Sequence, residues 1–244
     1  GESKDKPPMK VGAPITDITA GLLATSGILA ALVHRNKTGE GQKVDTSLFE
    51  AGIVHTYWQS AIAGATGQSP GPLGSAHPLT APYQAFKTMD KWITVGASNQ
   101  NTWLMLLKAI NRMDLQENEM FSSNFNRKKN ITQLVEILNT ELIKKTSDEW
   151  LKIFDDNGLP CGPINSINEM FEDPQTIERE MIIEVDNKKA GTSKAIGMPI
   201  KFSKSKTEKS KGAPNLGEHT KEIMKIFNYN DEQIENFYNR KVIL

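Results

Sequence analysis

VGAPITDITAG, residues 11–21, sets a single carboxylate, Asp17, among small and apolar side chains at the head of a long uncharged run. Residues 18–33, ITAGLLATSGILAALV, predict a buried helix, with Asp17 where an N-cap carboxylate accepts a backbone N–H and faces the positive end of the dipole. The run is shorter than a membrane span and contains Thr, Ser and Gly, which favours a core helix over a transmembrane one. A carboxylate in this place can cap the helix, react, or do both.

The bulk properties narrow the choice. A chain of 244 residues, 38% hydrophobic and 24% charged, is long enough for one large domain or two smaller ones. With 29 basic and 29 acidic residues, overall charge gives no support to a nucleic acid or an anionic membrane as partner, so a small molecule or a protein is favoured. The only cysteine, Cys161, reads as a packed thiol, and no Cys/His cluster has zinc spacing, so no metal site is expected. GESKDKPPMK reads as a polar loop rather than a signal or transit segment, and a first residue other than Met suggests a fragment.

After the first helix, HRNKTGEGQ is a turn, and Ser47 with Glu50 predicts a capping box for a helix through about Gln59. Residues 64–82, GATGQSPGPLGSAHPLTAP, are dense in glycine and proline and mark a domain boundary or a functional loop. YQAFKT and WITVGAS, joined by a turn at Met89–Lys91, predict a hairpin. NTWLMLLKAI, the apolar face Ile131, Leu134, Val135, Leu138, Leu142, and a helix capped by Thr146 or Ser147 and ending near Gly158 add three helices on this small sheet. Further on, Ser166 with Glu169 makes a second capping box, and Asp173 before Pro174 is an N-cap. MIIEV and KAIGMPIKF predict paired strands, KSKTEKSKG (204–212) a solvated loop, and two short helices close the chain, the second introduced by Asn230 and Gln233.

Together, TDITAG, HRNKTGEGQKVD, GSAHPLTAPYQAFKTMD, GPINSINEMFEDPQ and APNLGEHTKEIM, in this order, resemble the family III CoA-transferases from about residue 7 to the C-terminus. Within the family, PYQAFKTMDKWITVGASNQ and GPINSINEMFEDPQ most resemble succinyl-CoA-linked transferases acting on glutarate or hydroxymethylglutarate. The resemblance implies an α/β fold: the C-terminal part of the enzyme, with helices and strands of a Rossmann-like large domain plus a small α/β domain. The implied division is 1–70 as a large-domain segment with the catalytic Asp, 71–160 as the small domain with its preceding glycine loop, and 161–244 as a return segment on the large domain.

The resemblance places the catalytic nucleophile at Asp17, which would form aspartyl anhydride and aspartyl-CoA thioester intermediates. It places the substrate loop at Gly74, Ser75, Ala76 and His77; only the first is glycine, where formyl-CoA transferases carry consecutive glycines. A carboxylate nucleophile and a carboxylate acceptor need no proton removed, so His77 reads as structural or substrate-orienting rather than as a base. His34 suits the end of a helix, His55 and His219 receive no role, and the four tryptophans read as core or interface anchors. Lys91 stands where relatives carry glycine, which bears only on the hairpin turn.

The implied substrates are an acyl-CoA and a small carboxylic acid, with no permanently bound cofactor. The implied assembly is an interlocked homodimer, with neither nucleic acid nor membrane as partner. The implied compartment is the cytoplasm, or the mitochondrion in a eukaryote. The strand, glycine loop and helix that hold most CoA contacts in the family have no match, so no CoA-binding residue is assigned and the missing N-terminal half is expected to be needed for activity. Two alternatives stand beside the transferase: an α-methylacyl-CoA racemase, and a non-catalytic subunit lacking the CoA-binding half.

Overall fold

The structure is a computed structural model that describes residues 1–205 and 211–244. The chain divides into two compact units, Gly1–Ile164 and Asn165–Leu244.

The first unit opens with α1 (Ile15–Thr38), α2 (Leu48–Val54) and α3 (Tyr57–Thr66). α1 is longer than expected at both ends: it starts directly after Pro14 and runs on through His34–Thr38 until Gly39, at φ 81°, turns the chain away. His34 therefore lies inside the helix, a turn before its end. At 24 residues, α1 is long and apolar enough by length and composition to cross a membrane, contrary to the sequence expectation. Its half-buried residues are nevertheless small and lie on one stripe, Thr16, Thr19, Ala20, Ala24, Gly27 and Ala31, a pattern suited to close packing on other protein elements. At Gly27 a Cβ would come within 2.7 Å of Val44 Cγ1, so any larger residue there would push the Val44 side chain aside.

The expected burial of α1 does not occur within this chain. None of its residues is buried, and Ile18, Leu22, Leu29 and Val33 are exposed. The reason is geometric: the small-residue stripe occupies the one covered face, so the large side chains fall on the others. Only half of the expected capping box forms: Ser47 Oγ accepts from Glu50 N–H, but the Glu50 carboxylate takes the Ser47 hydroxyl rather than its backbone N–H, and the helix ends at Val54 with a second one beginning after Thr56. α3 also extends into the stretch expected to be irregular. The alanines around Gly64 keep it helical until Gly67 at φ 69°.

The hairpin forms as expected: β1 (Tyr83–Lys87) pairs antiparallel with β2 (Trp92–Gly96), placing Phe86 opposite Ile93. Asp90 ties its turn to the helix that follows later in the chain, since its carboxylate accepts from Ser147 N–H at 2.7 Å and from Thr88 Oγ1 at 2.9 Å. α4 (Gln100–Ala109), a 3-10 turn at Met113–Gln116, α5 (Asn124–Lys129), α6 (Ile131–Leu142) and α7 (Ser147–Asp156) follow, and β3 (Cys161–Pro163) joins the far edge of β2. Thr146, not Ser147, caps α7, in a reciprocal box with Glu149. Phe86, Ile93, Val95, Trp103, Leu107, Leu134, Leu138, Leu142, Trp150 and Phe154 form one continuous core between sheet and helices. Cys161 packs partly buried against it, and burial pushes its thiol pKa up.

The second unit carries α8 (Ile167–Glu172) and α9 (Pro174–Glu178), capped by Ser166 and Asp173 as expected. The antiparallel hairpin of β4 (Ile182–Asn187) and β5 (Gly191–Ile196) follows. α10 (Thr220–Ile226) and α11 (Asp231–Asn239) are tied by Lys221 and Lys225 on Asp231, and the Asn230–Gln233 box starts α11. Of the expected loop 204–212, residues 206–210 lie outside the described residues.

Candidate active site

Asp17 is the third residue of α1, not its N-cap; that position is Pro14, which offers no side-chain hydrogen bond. The capping expectation is thus replaced by a different relation to the same dipole. In the first turn the carboxylate still lies at the positive end of the helix, close to N–H groups that have no partner within it. Asp17 is exposed, and Thr16 Oγ1 donates to its Oδ2 at 3.2 Å. An exposed anion held by one hydroxyl at a helix start has the freedom of approach that a nucleophile needs.

The loop Gly74–His77 lies between α3 and β1. Gly74 has φ 60°, and its N–H donates to Gly1 O at 3.0 Å. Ser75 Oγ accepts from Ala85 N–H at 3.1 Å, which holds the loop beside the first strand. His77 is the most constrained member. Its Nδ1 accepts from Leu79 N–H at 3.1 Å and Thr80 N–H at 3.2 Å, with Thr80 Oγ1 at 3.1 Å. Because backbone N–H groups can only donate, Nδ1 is assigned as the unprotonated nitrogen and Nε2 carries the hydrogen. The ring lies parallel to Tyr83, with centroids 5.2 Å apart, and edge-on to Trp58 at 5.3 Å. These contacts fix the ring's position and leave Nδ1 occupied.

His55 and Trp58 received no site role from the sequence, yet both belong to this neighbourhood. Thr19 Oγ1 and His55 Nε2 are 2.7 Å apart, linking α1 near Asp17 to the end of α2. Trp58, three residues on, touches His77. A connected path therefore runs from the first turns of α1 to the loop. No sequence signal marks it, because its members are far apart in the chain and each is unremarkable alone. Among the described residues no group of three or more His, Cys, Asp or Glu side chains could hold a metal ion.

This succession, an apolar helix with an acidic first turn, a glycine loop and a small sheet-and-helix domain, is the fold of CaiB/BaiF proteins. A crystal structure of a CaiB/BaiF family protein from Brucella suis superposes with a TM-score of 0.76 at 30% identity, over 93% of this chain and 58% of that one. The model of CoA-transferase family III matches residues 1–220, and the chain belongs to that family. It is 36% identical to an acyl-CoA transferase of Fusarium pseudograminearum, over 96% of this chain and 52% of that protein. It is 32% identical to the succinyl-CoA:glutarate CoA-transferase of Mus musculus, over 95% of this chain and 53% of that protein. The chain thus spans about half the length of the curated relatives it matches.

Proposed function

We propose that this chain supplies the reacting carboxylate and the small domain of an enzyme that moves CoA from an acyl-CoA, succinyl-CoA as donor, to a small carboxylic acid. The exposed Asp17 carboxylate in the first turn of α1 carries the reading. A carboxylate oxygen of Asp17 attacks the thioester carbonyl, the C–S bond breaks, and the CoA thiolate leaves behind an acyl-aspartyl anhydride. The thiolate then attacks the aspartyl carbonyl, which releases the donor acid and leaves an aspartyl-CoA thioester. The acceptor carboxylate attacks that thioester, and the returning thiolate takes the acceptor acyl group and frees Asp17. No proton changes hands, which agrees with a His77 occupied by backbone N–H groups.

Each tetrahedral step develops an oxyanion, and the backbone N–H groups of the Gly74–His77 loop are the donors we assign to it. In this reading residues 1–70 belong to the large domain, 71–160 form the small domain, and 161–244 return to the large one. The exposed apolar faces of α1–α3 support an assembled enzyme, a homodimer in which other polypeptide covers them. The relation to succinyl-CoA:glutarate CoA-transferases supports a dicarboxylate acceptor.

Substitution Asp17→Ala in the intact protein is expected to abolish transfer, a loss above about a thousandfold, while unfolding stability falls by only about 0.3–1 kcal/mol, the value of an acid in the first turn. Incubation with acyl-CoA and hydroxylamine should modify the peptide containing Asp17. Normal turnover by a folded Asp17→Ala protein, or a label on another carboxylate, would overturn the assignment.

A further inference from the structure

α5 turns three unlike polar side chains toward one piece of backbone. Asn124, Arg127 and Lys128 stand at i, i+3 and i+4, hence on one helix face. Asn124 Oδ1 accepts from Ala81 N–H at 3.0 Å, and its Nδ2 donates to Leu79 O at 2.9 Å. Arg127 Nε donates to Ala81 O at 2.8 Å, and Lys128 Nζ donates to His77 O at 3.0 Å. The carbonyls of residues 77, 79 and 81 are thus all held from α5. Pro78 and Pro82 remove backbone donors from this segment, so it cannot pair as an ordinary strand, and side chains supply what a neighbouring strand would.

The cost of the arrangement shows that it does more than fill space. Arg127 is fully buried and Lys128 half-buried, burial lowers the pKa of both, and among the described residues neither has a carboxylate partner. Arg127 instead uses Phe121 O, Gln100 Oε1 and the face of Trp103, 5.0 Å from the ring centre. Apolar side chains of similar volume would stabilise such a site as well or better, so cations kept here fit a demand for one particular conformation. The same segment is also fixed by the His77 ring, stacked on Tyr83 and edge-on to Trp58.

We propose that Asn124, Arg127 and Lys128 are positioning residues: the α5 face sets the conformation of residues 77–81 and thereby places the Gly74–His77 loop for the transfer step. The inference rests on the loop role given above. Loss of the clamp leaves coenzyme binding nearly intact and misplaces the oxyanion donors, so it acts on kcat rather than KM.

The test uses Lys128→Met and Asn124→Ala in the intact protein, with Arg127→Met as a third variant whose core burial makes folding itself the risk. Hydrogen exchange at Leu79, Thr80 and Ala81 should quicken by about tenfold or more while β1, β2 and α6 keep their protection. In the same variants kcat should fall by about 10–100-fold with KM for the acyl-CoA within about twofold, and Lys128→Arg should restore most of the rate. Unchanged exchange at 79–81 would overturn the clamp. Faster exchange with an unchanged transfer rate would overturn its catalytic meaning. A wild-type protein that transfers no CoA would instead count against the proposed function, and the exchange experiment would still decide whether α5 holds the segment.

Discussion

Residues 83–163 and residues 15–66 use similar amounts of helix and apolar side chain to opposite ends. In the first region Phe86, Ile93, Trp103, Leu107, Leu134, Leu138 and Phe154 close on one another and are fully buried. In the second, α1 and α3 bury nothing completely, α2 buries only Ala51, and Phe49 and Tyr57 stay 78% and 72% exposed. The difference lies in where the covering atoms come from. In residues 83–163 the hairpin and helices α4, α6 and α7 each present an apolar face, and these faces cover one another. The N-terminal helices are apolar on several faces at once, and three short elements cannot cover all of them. Residues 83–163 bury their large apolar side chains on one another, and residues 15–66 leave theirs exposed in this chain.

The comparison can be broken at either end. Leu138→Ala removes a fully buried side chain from the core of residues 83–163 and should cost about 2–5 kcal/mol, read by urea unfolding followed through tryptophan fluorescence. A cost below 1 kcal/mol would mean that this core relaxes freely and is not the rigid half described.

A smaller effect is expected from acid. Asp90 is held at about 2, well below the ordinary 3.8, first by the Ser147 N–H; desolvation opposes this as the next-largest influence, and the Thr88 and Ser147 hydroxyls and the Lys91 N–H lower it further. Its folded pKa is depressed, so its contribution is complete above the unfolded value near 4 and is lost as pH falls from about 4 towards 2. Asp90→Asn should flatten that part of the stability–pH curve and loosen the link between the hairpin turn and α7. An unchanged acid limb would remove Asp90 from the account.

The smallest effect is expected on α1. Leu29 is 59% exposed, and Leu29→Asn should change the stability of the isolated chain by no more than about 0.5 kcal/mol. Under the homodimer proposed above, the same substitution should have a far larger effect, read as dilution-dependent dissociation in sedimentation of the intact protein. A large cost in the isolated chain would show that α1 is already covered there, and the contrast between the two regions would fail.

Local chemistry was legible in the sequence wherever the cause was local. The N-cap at Ser47, the boxes at Thr146, Ser166 and Asn230, the Asp173–Pro174 start, the hairpin at 83–96 and the face of α6 all depend on residues within a few positions of one another. The family itself was legible too, because its motifs are contiguous strings in a set order. Boundaries were less so. Gly64 looks like a breaker but sits inside a helix carried by its alanine neighbours, and Asp17 looks like a cap but lies a turn further in, behind Pro14.

What the tertiary structure alone decided is everything that depends on distance across the chain. His55 meets Thr19, Trp58 meets His77, and Arg127 reaches Ala81 across 46 positions. No periodicity records such pairs, because each is set by how whole elements pack and not by the backbone preferences of its members. The uncovered face of α1 has the same origin. Its sequence demands burial, and only the arrangement of its neighbours shows that this chain does not provide it.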